Sequence, residues 1–186
     1  MVDEMLPKTA AASSLVAVHV PDHQECPEMT SLPAAAQRVQ DAADALGLAV
    51  TVRIMTEITR TAEEAAAACG CTVGQIVKSL IFRGKESGNP LLLLVSGTNR
   101  VNEKAMKERL GEAIVRPDAA FVREATGFAI GGIPPFGHAS RLVPRLDADL
   151  LQYETVWAAA GTPNAIFAVS PAALRDATGA VVLQVT

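Results

Sequence analysis

The sequence predicts a mixed α/β domain, and three observations carry that prediction. Apolar residues recur at helical spacing in some stretches and alternate or run continuously over strand lengths in others, giving roughly seven or eight strands with four or five helices interspersed. Two apolar runs, IVKSLIF and LLLLV, flank the loop RGKESGNP, so residues 76–95 are expected to form an antiparallel hairpin. A balance of 49% hydrophobic and 19% charged residues over 186 positions suits one domain that buries a sizeable core.

Taken in order, residues 1–30 differ from the rest. LVAVHV at 15–20 reads as a short strand and PDHQECPEM as loop, and the stretch is expected to be an extension, poorly structured, ahead of a single domain at 31–186. It lacks a basic start followed by an apolar core, so it does not read as a secretory leader. Ser31 is an N-cap candidate for a first helix, with Pro33 in its first turn, Ala36, Val39, Ala43 and Leu46 on one face, and Gly47 as its stop. LAVTVRIM at 48–55 alternates as a half-buried strand should. Thr61 and Glu64 form a capping box that opens an alanine-rich helix ending at Gly70, and Thr72 with Gln75 forms a second cap.

IVKSLIF then reads as a buried strand with Lys78 in its middle. Alternation puts Lys78 on the face of Leu80 and Phe82 and puts Val77, Ser79 and Ile81 on the other, so neither face is plainly polar. A lysine there must snorkel, pair or serve a ligand. After the hairpin come Ser96, Gly97, Thr98 and Asn99 at a strand end, and Asn102 caps a helix that stops at Gly111, with Glu103 and Lys107 at favourable spacing for an ion pair. AIVRPD is a short strand and residues 117–125 a helix. Beyond residue 138, RLVPRLDADLLQYETVWAAAG gives two short strands around a turn or helical segment at 147–151. GTPN at 161–164 is a tight turn and AIFAV a strand. Ser170 and Pro171 open a last helix that ends at Gly179, and VVLQV closes the domain.

The stretch best suited to chemistry is GGIPPFGH, residues 131–138. Adjacent glycines and adjacent prolines fit neither helix nor regular strand. Gly131 and Gly132 can aim backbone N–H groups into a cavity while Pro134 and Pro135 stiffen the far side, an arrangement suited to a carbonyl or anionic oxygen. His138 is open to two readings, a bond to its own loop or a catalytic role.

Several chemistries are set aside. The net charge of -4 argues against a non-specific nucleic-acid coat, although a local basic patch can hold one RNA end. No apolar run approaches the roughly 20 residues of a membrane span. Three cysteines do not make a disulfide framework, Cys69 and Cys71 lack the second matching pair of a zinc site, and a reducing cytoplasm is expected. There is no phosphate loop, dinucleotide fingerprint, HExxH or GxSxG elbow, so neither a metal nor a cofactor is expected.

VGQIVKSLIF, VSGTNRVNEKAMKERLG, ATGFAIGGIPPFGH and a GTPN turn before a strand and SPAAL helix together resemble the YbaK family, free-standing relatives of the prolyl-tRNA synthetase editing domain. The resemblance runs in order from Ser31 to Val185. It implies a largely antiparallel, barrel-like sheet flanked by helices and a trans-editing hydrolase that deacylates mischarged aminoacyl-tRNA, with a small amino acid on tRNA-Pro or a related tRNA as substrate. The family's key lysine falls on Lys78 and its glycine-x-x-x-proline loop on Gly131, Gly132, Ile133 and Pro135. The resemblance also places His138, Ser96, Thr98, Asn102 and Gly161 at the substrate pocket. The implied partners are the acceptor end of aminoacyl-tRNA and a synthetase, the protein acting as a monomer or homodimer. A non-catalytic module that binds a tRNA end or a nucleotide is the alternative reading of the same features.

Overall fold

A computed structural model describes residues 31–56 and 59–186; the expectations for residues 1–30, including the strand at 15–20, lie outside it. Helices α1 (Ala34–Ala45), α2 (Ala62–Cys69), α3 (Glu103–Leu110), α4 (Ala119–Thr126) and α5 (Pro171–Thr178) alternate with the strands of one mixed sheet. The strands are β1 (Arg53–Ile54), β2 (Ile76–Gly84), β3 (Pro90–Ser96), β4 (Ile114–Val115), β5 (Arg145–Asp147), β6 (Val156–Ala159), β7 (Ala165–Val169) and β8 (Val181–Leu183). Their order is β1-β7-β6-β2-β3-β5-β8, with β4 added beside β2. Of the seven ladders, β1–β7, β2–β3, β2–β4 and β6–β7 are antiparallel, and β2–β6, β3–β5 and β5–β8 are parallel. This is the mixed α/β architecture that the patterning predicts.

The β2–β3 hairpin is the spine, pairing Val77 with Ser96 through to Arg83 with Pro90. Because successive strand residues point to opposite faces, Val77 and Ile81 enter a main core with α1 residues Ala36, Val39 and Ala43 and with Val122 of α4 and Leu174 of α5. Phe82, Leu93 and Val95 enter a second core on the other face, closed by Met106 of α3. Helix α2 belongs to neither cluster, since its inward side chains are alanines and a cysteine, too short to fill the space beneath it.

Local chemistry explains most boundaries. Thr61 accepts from Glu64 N–H at 3.1 Å, Asn102 from Ala105 N–H at 3.2 Å and Asp118 from Phe121 N–H at 2.8 Å, each starting a helix. The capping box of Thr72 and Gln75 also forms. Three expectations need correction. Ser31 does not cap α1; Pro33 occupies that position and its carbonyl receives Gln37 N–H. Only Arg53 and Ile54 of the stretch 48–55 pair as a strand, because the Gln40 side chain takes the Val50 carbonyl and the Val52 N–H that a neighbouring strand would use. Glu103 pairs with Arg116 at 3.2 Å and not with Lys107.

The loop at 130–137 is fixed by backbone contact. Gly161 N–H donates to the Gly132 carbonyl at 2.9 Å. A Cβ on Gly132 would lie 2.8 Å from the Thr162 backbone, and one on Gly161 would lie 2.5 Å from the Ala35 carbonyl of α1, where φ is +89° besides. Space therefore requires both glycines, and at Gly161 conformation does so too. Replacing Gly132 by Ala is expected to cost about 1–3 kcal/mol through overpacking, lowering Tm by roughly 2–4 °C per kcal/mol for a chain of this size; thermal unfolding monitored by circular dichroism checks it.

Candidate functional site

Below α2 lies a cavity of about 540 Å³. Its floor is the sheet face opposite the main core. The registers Ile76–Trp157 and Ala159–Ile166 place these four side by side, with Lys78 and Leu80 continuing along β2. The roof is Ala62, Ala65 and Cys69 of α2, and the wall is the loop at 130–133 with Pro163 of the GTPN turn. Small side chains in the roof create the void, and the glycine-locked loop closes its side. The lining is largely apolar, with polar groups from Thr59, Arg60, Thr61, Lys78 and Ser79, and among the described residues it holds no histidine or carboxylate.

Lys78 is half-buried, and its Nζ donates to the carbonyls of Gly97 at 2.9 Å and Asn99 at 2.5 Å. Burial pushes its pKa below the ordinary lysine range; the charges of Glu63 and Asp147 oppose that shift and Arg100 adds to it. An ammonium has three donors, so two carbonyls leave one for a ligand. Among the described residues the ion pairs are Arg116–Glu103 and Arg175–Asp176, and neither involves Lys78. Its charge is oriented by dipoles, and no carboxylate among the described residues pairs with it.

The carbonyls that hold Lys78 are themselves held by Asp147, which is fully buried. One carboxylate oxygen accepts from Ser96 N–H at 3.1 Å and Asn99 Nδ2 at 2.8 Å, and the other from Asp149 N–H at 3.2 Å. Ser96 Oγ donates to the Gly74 carbonyl at 2.7 Å and lies 3.3 Å from Thr98 Oγ1. Asn102 caps α3 and bonds through its N–H to the Val185 carbonyl.

The structure brings Lys78, Gly131 and Ile133 to the cavity. Ser96 and Thr98 flank Gly97 in the segment that supports Lys78, Asn102 caps α3 beyond it and is not among the lining residues, and Gly161 supports the GGIPP loop. Gly132 N–H does not face a ligand: it donates to the Ala129 carbonyl at 3.1 Å, closing a turn of its own loop, which corrects the expectation that both glycines offer free N–H groups. Gly131, with φ of +95°, has no such bond among the described residues. Pro135 is buried and is not among the lining residues. Of the two readings of His138, the structure shows the bond to its own loop. Nε2 meets the Pro134 carbonyl at 2.8 Å, and the ring stands edge-on to Phe128, over which Arg38 stacks at 3.9 Å. Burial lowers the His138 pKa, the Pro134 carbonyl opposes that shift, and Arg38 adds to it.

Sequence reasoning missed Asp147, Asn99, Trp157 and Ser79 as site residues. Asp147 acts on Asn99 and Ser96 across some fifty positions of chain, a relation no local spacing reveals. Burial pushes the Cys69 thiol up to about 11, so it lines the cavity as an un-ionised group.

The domain joins a mixed sheet, a loop-walled cavity and a dipole-held lysine. The family model described as an aminoacyl-tRNA editing domain matches residues 56–177, and the chain belongs to that family. A solved structure described as a candidate trans-editing enzyme for prolyl tRNA synthetase is 46% identical, with a TM-score of 0.79, covering 84% of this chain and 99% of its own. A scaffold protein used for grafting linear epitopes is 44% identical, with a TM-score of 0.78 over 83% of this chain and 99% of its own. The protein YwhH of Bacillus subtilis (strain 168) is 33% identical over 116 residues, which are 62% of this chain and 73% of YwhH. The role of the chain is accordingly in tRNA editing.

The His138 geometry carries a pH signature. Its folded pKa lies below the ordinary 6.5, so between those two values the unfolded chain binds more protons and stability rises with pH. The contribution is complete above about 6.5 and is lost as pH falls towards the folded pKa. Urea unfolding at pH 7.5 and pH 5.5 should show a larger loss for the wild type than for His138→Gln.

Proposed function

We propose that the chain hydrolyses the ester of a mischarged aminoacyl-tRNA, releasing the amino acid and restoring the terminal ribose hydroxyl. The observation that carries this reading is Lys78, a cation held by two carbonyls at the edge of an apolar cavity that Gly131 borders. Water adds to the ester carbonyl carbon, the bond to the ribose oxygen breaks, and the proton from water ends on that oxygen. Charge that develops on the carbonyl oxygen is met by the Gly131 N–H, which has no partner among the described residues, and the remaining Lys78 donor meets the terminal phosphate or an ester oxygen. Among the described residues the lining holds no histidine or carboxylate, which favours the substrate's own neighbouring ribose hydroxyl, or a water it positions, as the base. Catalysis then rests on placement and electrostatics, without a covalent intermediate.

The small roof and apolar floor favour a small amino acid. One methylene is worth only about 1–3 kcal/mol of discrimination, so a synthetase pocket for a small apolar residue admits misfits that a second site must clear. Likeness to the 46% identical candidate trans-editing enzyme for prolyl tRNA synthetase favours tRNA-Pro as the carrier. This reading puts the protein in the cytoplasm, meeting the acceptor end of aminoacyl-tRNA and working beside a synthetase. The same bare lining also favours a second reading, a module that binds the tRNA end without cleaving it.

A panel of mischarged tRNAs separates the two. Turnover of at least one small aminoacyl ester is expected for the wild type. Lys78→Ala should lower kcat/KM by about 100-fold or more, the scale of losing one oriented charge stabiliser, while its circular dichroism spectrum stays native. Salt-sensitive binding without turnover would favour the second reading.

A further inference from the structure

Strand β6 puts one large ring on the cavity floor. Val156, Ala158 and Ala160 alternate into the main core, so Trp157 and Ala159 face the other way, beneath α2. Trp157 is the chain's single tryptophan and, among the described residues, the one aromatic in the lining. Its partners across the two ladders are Ile76 of β2 and Ala168 of β7, and the α2 side chains that roof the cavity are alanines and a cysteine. Such short neighbours leave the indole half-buried. Among the described residues it stacks with no other ring and lies under no cation. A tryptophan left open in a cavity of ligand size offers its face to a planar group.

The floor also says which planar group fits. In the register that sets Ile76 beside Trp157, Lys78 stands two residues further along β2 and on the same face. Strand spacing puts their Cα atoms roughly 8 Å apart on the diagonal. Arg60 joins Lys78 in the lining. An aromatic face beside cations is the combination that holds a nucleotide, the ring taking the base and the cations the phosphate. A small amino acid would leave most of an indole uncovered, whereas a purine matches it in size.

We propose that the Trp157 indole stacks on the terminal adenine of the acceptor end while Lys78 holds the adjoining phosphate, leaving the ester to Gly131 at the wall. The inference rests on the reading that this cavity receives a tRNA end, and it adds the base to what the site recognises. Trp157 then sets affinity for the nucleotide and has no part in choosing the amino acid.

Because the chain holds one tryptophan, its emission reports on this position alone. Titration of the full chain with adenosine 5′-monophosphate should quench that emission saturably, and ribose 5-phosphate, which keeps the phosphate and lacks the base, should leave it unchanged. In the deacylation assay adenosine 5′-monophosphate should compete with aminoacyl-tRNA. Its Ki should rise about 10-fold in Trp157→Ala and stay near the wild-type value in Trp157→Phe, the scale of one lost base stack. Inhibition by ribose 5-phosphate should be equal in all three proteins, and Trp157→Ala should keep the wild-type preference among aminoacyl esters. Absence of quenching, or a changed amino-acid preference in Trp157→Ala with the Ki for adenosine 5′-monophosphate unmoved, overturns the stacking and leaves the editing reading standing. No turnover of any ester overturns the editing reading, and saturable quenching beside it would still uphold the stacking, as in a module that binds the tRNA end uncleaved.

Discussion

The site depends on one backbone contact, the hydrogen bond from Gly161 N–H to the Gly132 carbonyl at 2.9 Å. A side chain at either position would meet main chain at under 3 Å, so the GGIPP loop and the GTPN turn approach as bare backbone or not at all. Through Ala35 the same contact rests on α1, whose buried face is part of the main core. The cavity wall is in this way tied to the core, and Gly131 is presented by a strut that cannot relax without disturbing packing. Rigid presentation of an N–H matters because electrostatic stabilisation works only when donors need not reorganise as charge develops.

The second device is the indirect tethering of Lys78. A carboxylate partner would fix the ammonium but cancel much of its attraction for a phosphate or ester oxygen. Asp147 instead acts through its neighbours, gathering Ser96 and Asn99 so that the Gly97 and Asn99 carbonyls point at Nζ. Carbonyl dipoles orient the charge and partly offset its desolvation, and among the described residues the charged side chains that line the cavity are Arg60 and Lys78. The poorly filled helix α2 completes the design, since alanines over an apolar floor leave room where larger side chains would have built more core.

Much of this was legible in the sequence because much of it is local. Thr61 with Glu64, Asn102 with Ala105 and the loop between β2 and β3 are written within a few residues, and all three form as read. The lysine on a buried strand and the glycine-proline loop were legible as unusual chemistry. What escaped reading was set by distant partners. Gln40 of α1 takes the bonds that would have extended β1, and Arg116 draws Glu103 away from Lys107. The Gly132 N–H is spent on Ala129, and the Ser79 main chain borders the cavity because β6 and β4 stop short of it on either side. Strand phase and strand length decide such matters, and neither is a property of the residue itself.

If the cavity between α2, β2 and the GGIPP loop receives an aminoacyl-adenosine end, a stable mimic of that end must bind there. Titration of the ¹⁵N-labelled chain with 3′-alanylamino-3′-deoxyadenosine, whose amide cannot be cleaved like the ester, tests this directly by NMR. Saturable shifts are expected for the Ser79 and Gly131 amides together with the Trp157 indole, and for their neighbours along the cavity. Saturable shifts confined to the α3 face or the β8 edge, with those cavity signals unmoved, would contradict it.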